Sequence, residues 1–570
     1  MKTPVQLKRY IDSALGKIKA DLVIKNVRIF HLTDGSVETG DIAVTDGVIT
    51  GVGDYSYCGT TQVDGTGLYA VPGFLDSHVH LESSMLLPSE YEKLLLAHGV
   101  TTAVCDPHEL ANVLGEEAFT FFAEQSEKLT MDLQIHVSSC VPATPFDTAG
   151  AEVNSQTLKK WKGKIPHTAL AELMNIPGLL YGDPEVLEKA ASFDRIDGHC
   201  PLVSGKELNA CAAAGVNNCH ESTTPAEAQE KLRRGLQVLI REGSASKDLQ
   251  ALIPLITVEN SPFLAFCTDD RNPLEITEEG HIDSMIRKAI AGGASPLAAY
   301  RVASWSGAQA MGLQDRGLIA PGKRADIVLI SDLDQCDVQK VICRGRVLEE
   351  DFFRSRTKLS IPEHFLHTVK RPPIMEKDLF IPAGKPGKTA VIGIRKNSLI
   401  TDFLLEETAI RNGGKASCVE RDILKAAVLE RHGKNGNTGL GFVRGFGLQK
   451  GAIASSVGHD SHNLCCVGTH DTDMVCALNT LREMQGGFVA VQDGKVLAKL
   501  PLELGGLLST SPAEEVNQAL KELHKAAANL GCPLPDPFLS LAFITLPVIP
   551  FLKLTDRGMF DTVKFSLLEQ

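Results

Sequence analysis

Along residues 21–53 apolar and polar positions alternate, in DLVIKNVRIF and then DIAVTDGVITGVG. A period of two sets one face of an extended chain against a core. The Asp46-Gly47 pair between two such runs predicts a tight hairpin. The same texture returns after residue 320, in ADIVLISD and VICRGRVL. Residues 1–70 and 313–350 are therefore expected to make one small, split β-domain.

Between these pieces the rhythm changes to an apolar strand followed by an amphipathic helix, repeated. The strands read LYAVPGFLDSH, VTTAVCD, LQIHVSS, TALAELMN, RIDGHC, VNNCHE, LQVLIREG and FLAFCTDD, with helical stretches such as PSEYEKLLLAHG and PAEAQEKLRRG after them. This alternation over residues 71–312 predicts an α/β fold of (β/α)8, TIM-like barrel type. Residues 351–385, rich in Pro and Lys, read as a linker. Residues 386–570 read as a C-terminal α/β domain, with a second Asp-Gly hairpin in FVAVQDGKVLAKL and helices near 472–485 and 511–530. The glycines between Gly436 and Gly447 lack phosphate-loop spacing and are expected to serve tight turns. The apolar stretch 538–552 is shorter than the ~20 residues of a membrane span, contains Pro547 and Pro550, and reads as buried strand and turn.

Composition narrows the function classes. A net charge of −13 over 570 residues disfavours a nucleic-acid partner. The N-terminus lacks the apolar core of a signal peptide. The fourteen cysteines are scattered without a CxxC pair, so they are expected to be reduced, buried fillers in a cytoplasmic protein, with Cys465-Cys466 in a buried strand. No membrane partner is expected, and a large barrel enzyme of this kind is expected to form a homo-oligomer.

Metal-binding residue types end five of the eight strands. His78 and His80 end the first, Glu172 the fourth, His199 the fifth, His220 the sixth, and Asp269 or Asp270 the eighth. Loops at the C-terminal ends of barrel strands converge on one space, so these groups are expected to meet. In His78-Val79-His80 the two imidazoles, two residues apart on a strand, face the same way and can hold one ion. A Glu opposite can bridge two ions, His199 and His220 complete the second, and the strand-eight Asp can bind metal and accept a proton from water. Such a pair lowers the pKa of water toward neutrality. Asp269 is preferred over Asp270 because it comes first after the apolar run.

The chain resembles a known family. VPGFLDSHVH resembles the first-strand signature of the amidohydrolase superfamily. HVHLESSMLLPSEYEKLLLAHGVTTAVCDPHELANVLG, AELMNIPG, IDGHCPLVSGKELNACAAAGVNNCHESTTPAEA, REGSASKDL and CTDDRNP are similar to the bacterial and archaeal adenine deaminases. So are GLGFVRGFGLQKGAIASSVGHDSHN and EMQGGFVAVQDGKVLAKLPLELGG near the C-terminus. The resemblance implies deamination of free adenine at a binuclear manganese or iron centre, with zinc also compatible with the ligand types. It also implies that Glu172 takes the bridging place filled in some relatives by a modified lysine.

Deamination also needs a proton donor to the purine or to the departing amine. Candidates are Glu221, whose alternative is a salt bridge or helix cap, and the His108-Glu109 pair after strand two. Ser83, Ser84 and Asn112 follow these motifs and could bind substrate or cap helices. In the loop GHDSHN, His459, Asp460, His462 and Asn463 could close over the barrel mouth, and Asp270 could face the substrate.

Overall fold

The structure is a computed structural model that describes residues 2–55, 59–353, 361–384, 387–395 and 398–568. Its centre is a barrel of eight short parallel strands: β1 Phe74–Val79, β2 Val100–Cys105, β3 Asp132–Ile135, β4 Leu170–Leu173, β5 Ile196–Gly198, β6 Val216–Cys219, β7 Gln237–Arg241 and β8 Leu264–Cys267. The third strand is broken at His136. Its first part pairs with β2, and Val137–Ser138 beyond the break pairs with β4. The ring closes between β8 and β1, where Asp269 N donates to His78 O at 3.0 Å and His80 N to Asp269 O at 3.0 Å. Asp76 reinforces this seam from inside, accepting from Thr268 N at 3.1 Å and from the Thr268 hydroxyl.

The expected first strand is in fact two strands in different sheets. Tyr69–Pro72 pairs with Ile327–Ile330 and with Ala20–Phe30 in the small sheet, and only Phe74–Val79 enters the barrel. The change of sheet falls at Gly73, where a Cβ would sit 2.3 Å from Thr101 Oγ1 and 2.9 Å from Asp326 Cβ. Alternation cannot register this, because both strands are apolar. The two sequence pieces flanking the barrel do join in one sheet. Its hairpin turns at Asp46 and Gly47, both at positive φ (50° and 75°), as a primed turn requires.

The C-terminal part is built on an eight-stranded, mostly antiparallel sheet flanked by helices Asp471–Glu483 and Ala513–Asn529. Cys465 and Cys466 lie buried in its strand Leu464–Gly468. Three expectations are corrected here. The segment expected as a linker lies partly outside the described residues, but its Val369, Ile374 and Leu379 are buried against the sheet rather than spanning open space. The stretch 538–552 is not strand and turn: Asp536 caps a helix, Pro537–Phe543, by accepting from Leu539 N, and a strand begins only at Leu552. Gly439 and Gly441 lie in a strand, Thr438–Arg444, and not in a turn. A Cβ on Gly439 would fall 1.8 Å from Thr555 O and one on Gly441 2.3 Å from Met559 Sδ, so close packing against a neighbouring hairpin explains them.

Barrel and C-terminal domain share one core, in which Leu86 and Leu110 join Leu504, Leu508 and Phe538. Polar bonds cross the same boundary. Ser509 N donates to Met85 O at 2.8 Å, and Thr148 donates twice to Asp556, at 2.9 and 2.7 Å.

Candidate active site

At the C-terminal ends of the strands the expected ligands converge. His78 Nε2 and His80 Nε2 lie 2.8 and 2.7 Å from Glu172 Oε1, and 3.6 and 3.1 Å from Asp269 Oδ1. The His78 and His80 Nε2 atoms are 3.2 Å apart. Glu172 presents its other oxygen to His199 Nδ1 at 3.0 Å, and His220 stacks on His78 with centroids 4.3 Å apart. Glu172 belongs to three groups whose ligand atoms lie within 4.8 Å of one another: one with His78, His80 and Asp269, one with His199 and His220, and one with His80, Asp106 and His108.

These contacts are not ordinary hydrogen bonding. Glu172 Oε1, His199 Nδ1 and both His220 nitrogens are buried without a hydrogen-bond partner, a costly state for polar atoms unless an ion satisfies them. His80 Nδ1 faces Asp106 O at 3.0 Å, so its proton is held there and Nε2 is left as a lone pair. Burial pushes the His220 imidazole down to about 3, toward the neutral form that ligates. The residues present fit a pair of divalent ions.

Of the two strand-eight aspartates, Asp269 turns inward, at φ 58°, while Asp270 takes the Ser83 hydroxyl on the other side. The outer oxygen of Asp269 is occupied by a residue the sequence reading passed over. Arg241, ending β7, donates to Asp269 Oδ2 at 2.9 Å and to Asp248 Oδ2 at 3.0 Å, and grips both oxygens of Glu221. The signal was present: the charged pair Arg241-Glu242 closes the apolar run LQVLI. An arginine is no metal ligand, so a search for ligand types passes over it. Burial acts to raise the Glu221 carboxyl, but Arg241 and His199 hold it below the ordinary range. Glu221 is therefore the salt-bridge partner of its two readings, and a poor acid at neutral pH.

The remaining expected residues divide. His108 and Glu109 open the helix His108–Leu114 and line the same cavity as the candidate ligands, as do Asp270, His459 and Asp460. The cavity is roofed by Leu399, Phe543, Leu546 and Ile549, all from the C-terminal domain, none of which sequence reading singled out. Ser83 lines an adjoining pocket beside Asp270. Three residues turn away. Asn112 spends its amide on His108 O at 2.9 Å, Ser84 donates to Leu81 O, and His462 lies behind Glu109 with its Nε2 against the carboxylate. Asn463 is tied to Thr148 O at 3.0 Å.

Comparison with known proteins shows the family of the chain. Residues 69–348 match the model of the amidohydrolase family, and residues 398–566 that of the adenine deaminase C-terminal domain. The chain is 50% identical to an adenine deaminase of Methylobacterium nodulans over 99% of this chain and 100% of that one. It is 51% identical to an adenine deaminase of Gluconobacter oxydans, covering 98% and 99%. It is 49% identical to an adenine deaminase of Brucella suis, covering 98% and 96%.

Proposed function

The chain belongs to the adenine deaminase family of amidohydrolases, and from that premise we propose how its residues convert adenine and water to hypoxanthine and ammonia. Glu172 would be shared by two divalent ions. His78, His80 and Asp269 would hold one, and His199 and His220 the other. The observation carrying this reading is that Glu172 stands in both ligand groups while its Oε1 has no hydrogen-bond partner. Imidazole and carboxylate donors suit manganese or iron, and also zinc. When bound, the ions supply Lewis-acid activation of water.

The protein's own groups do the rest. Asp269 takes a proton from the water that adds to C6, and Arg241 holds its outer oxygen so that the inner one stays aimed at the cluster. Glu221 is held ionised by the same Arg241 and orients rather than donates. Leu399, Phe543, Leu546 and Ile549 exclude water around the purine, which strengthens the electrostatic interactions beneath them. The buried free thiols among the described residues support a cytoplasmic setting, and we assign the chain to a homo-oligomer on its size.

The test is ammonia release from adenine alongside metal analysis. Protein supplied with Mn(II) or Fe(II) is expected to turn over adenine with two ions per chain. In Glu172→Gln, which cannot bridge, content should fall to one ion or fewer and activity should drop by a factor of about 100 or more. Two ions and full activity in that variant would overturn the bridging assignment.

A further inference from the structure

Opposite the metal cluster, Glu109 is a buried carboxylate surrounded by three imidazoles. His459 Nδ1 lies 2.7 Å and His108 Nε2 3.2 Å from its Oε1, while His462 Nε2 faces its Oε2. The tautomers can be read from the outer partners. His462 Nδ1 accepts from Gly458 N at 3.3 Å, which leaves the His462 proton on Nε2, toward Glu109. His462 thus sets its Nε2 against Glu109 Oε2 as a close charge contact without hydrogen-bond geometry. Glu109 in turn holds His459 by Nδ1, so Nε2 is the nitrogen of that ring left for chemistry.

His459 is fixed in place as well as in tautomer. Its ring stacks on Phe543, with centroids 4.4 Å apart and planes 18° from parallel. Its backbone is clamped from both sides, His459 N donating to Ala542 O at 3.2 Å and Thr545 Oγ1 to His459 O at 3.0 Å. It lines the cavity that contains His80, Glu172 and Arg241. The titratable groups that face it are Glu109 and Asp270 from the barrel and Asp460 and His462 from its own loop. Of the carboxylates across the cavity, Glu221 is held by Arg241 and Asp270 by Ser83, and Asp269 serves the attacking water.

We infer that His459, supplied by the C-terminal domain and oriented by Glu109, is the group that gives a proton to the departing amine. In that step the C6–N bond breaks and its electron pair stays on nitrogen. The nitrogen takes the Nε2 proton of His459 and leaves as ammonia. One proton of the added water ends on a ring nitrogen, and the other replaces the proton His459 gave up. The inference rests on the proposed metal site for the position of the reacting carbon. It makes Glu109, expected from sequence to carry protons, a positioning residue. It also makes the C-terminal domain part of the catalytic apparatus.

The experiment uses the full-length, manganese-loaded enzyme and its variants His459→Gln, His459→Gly and Glu109→Gln. Metal content should match wild type in all three. In His459→Gln, kcat should fall about 100-fold or more while KM changes less than about threefold. The alkaline fall of kcat, which reports loss of the His459 proton, should disappear in that variant. In Glu109→Gln the same fall should move to lower pH, because the charge that favours the imidazolium is gone. Added imidazole should restore part of the activity of His459→Gly. A kcat for His459→Gln within about threefold of wild type at equal metal content would overturn the inference; so would a reduced kcat with an unchanged pH profile and no imidazole rescue. Failure of the metal reading looks different: wild type would turn over adenine without two ions per chain, leaving the His459 comparison intact.

Discussion

Asp269 and Asp270 differ by one position in sequence and by everything in environment. Asp269 faces two imidazoles and Arg241, whereas Asp270 accepts from Ser83 and, through burial and the neighbouring charge of Asp269, has its carboxyl raised. Asp269→Asn is therefore expected to lower kcat by a factor of about 100 or more and to weaken metal retention, with a much smaller effect for Asp270→Asn, as steady-state kinetics beside metal analysis would show. Arg241 is the residue whose loss should be felt most in stability. Removing it leaves Glu221, Asp248 and Asp269 facing one another in a buried site. Arg241→Met should destabilise by about 3–5 kcal/mol in denaturant unfolding, since an uncompensated buried charge costs that order.

Among the elements, the cap over the cavity is anchored by one buried lysine. Lys553, in the strand Leu552–Thr555, donates to Leu399 O at 3.1 Å and to Phe543 O at 2.9 Å, holding two of the four roof residues by their carbonyls. Burial alone pushes this amine down to about 7, against about 10.4 in an unfolded chain. The unfolded state then binds more protons between those two values, so stability should rise with pH through that window. Melting curves at pH 7 and pH 9 should show this rise in wild type and lose it in Lys553→Met. Beneath the barrel, Asp132 opens β3 and is held by Arg324 at 2.6 Å, by Arg344 at 3.1 Å and by Arg316. Burial acts to raise the Asp132 carboxyl, but the three guanidinium groups hold it well below the usual range. The stability it contributes is present above the ordinary carboxylate pKa and is lost as pH falls toward the depressed one. Asp132→Asn is expected to cost about 1–3 kcal/mol at neutral pH, because it removes a charged acceptor while Arg316 keeps Asp315 and Arg324 keeps Asp326.

At the scale of the whole molecule, the site is assembled from both ends of the chain. The barrel supplies the candidate metal ligands and Glu109, and the C-terminal domain supplies the roof, His459 and His462. A shared core and the bonds from Thr148 to Asp556 make the two parts one body. Metal removal should therefore be felt globally. Chelation is expected to lower the melting temperature of the entire chain, and Mn(II) at about 100 times its dissociation constant should restore about 2.7 kcal/mol for each site it fills. A melting curve indifferent to chelator would contradict two ions held by the buried cluster.

The sequence by itself determined the barrel, the split small sheet and which strand ends carry the candidate ligands, because each depends on a local period or on a residue type at a strand end. Eight apolar runs fix eight strands, and their C-terminal ends open on one shared mouth. What sequence left open was decided by contacts between distant segments. Whether Asp269 or Asp270 faces inward follows from the left-handed backbone at Asp269 and the bonds that close β8 on β1. The role of Glu221 followed from Arg241 twenty positions away. The change of sheet at Gly73 came from steric crowding by Thr101 and Asp326. The loop holding His459 reads as a Gly-flanked turn in isolation. Only packing of the C-terminal domain on the barrel brings its imidazole to Glu109, 350 residues earlier in the chain, and no periodicity encodes a distance of that kind.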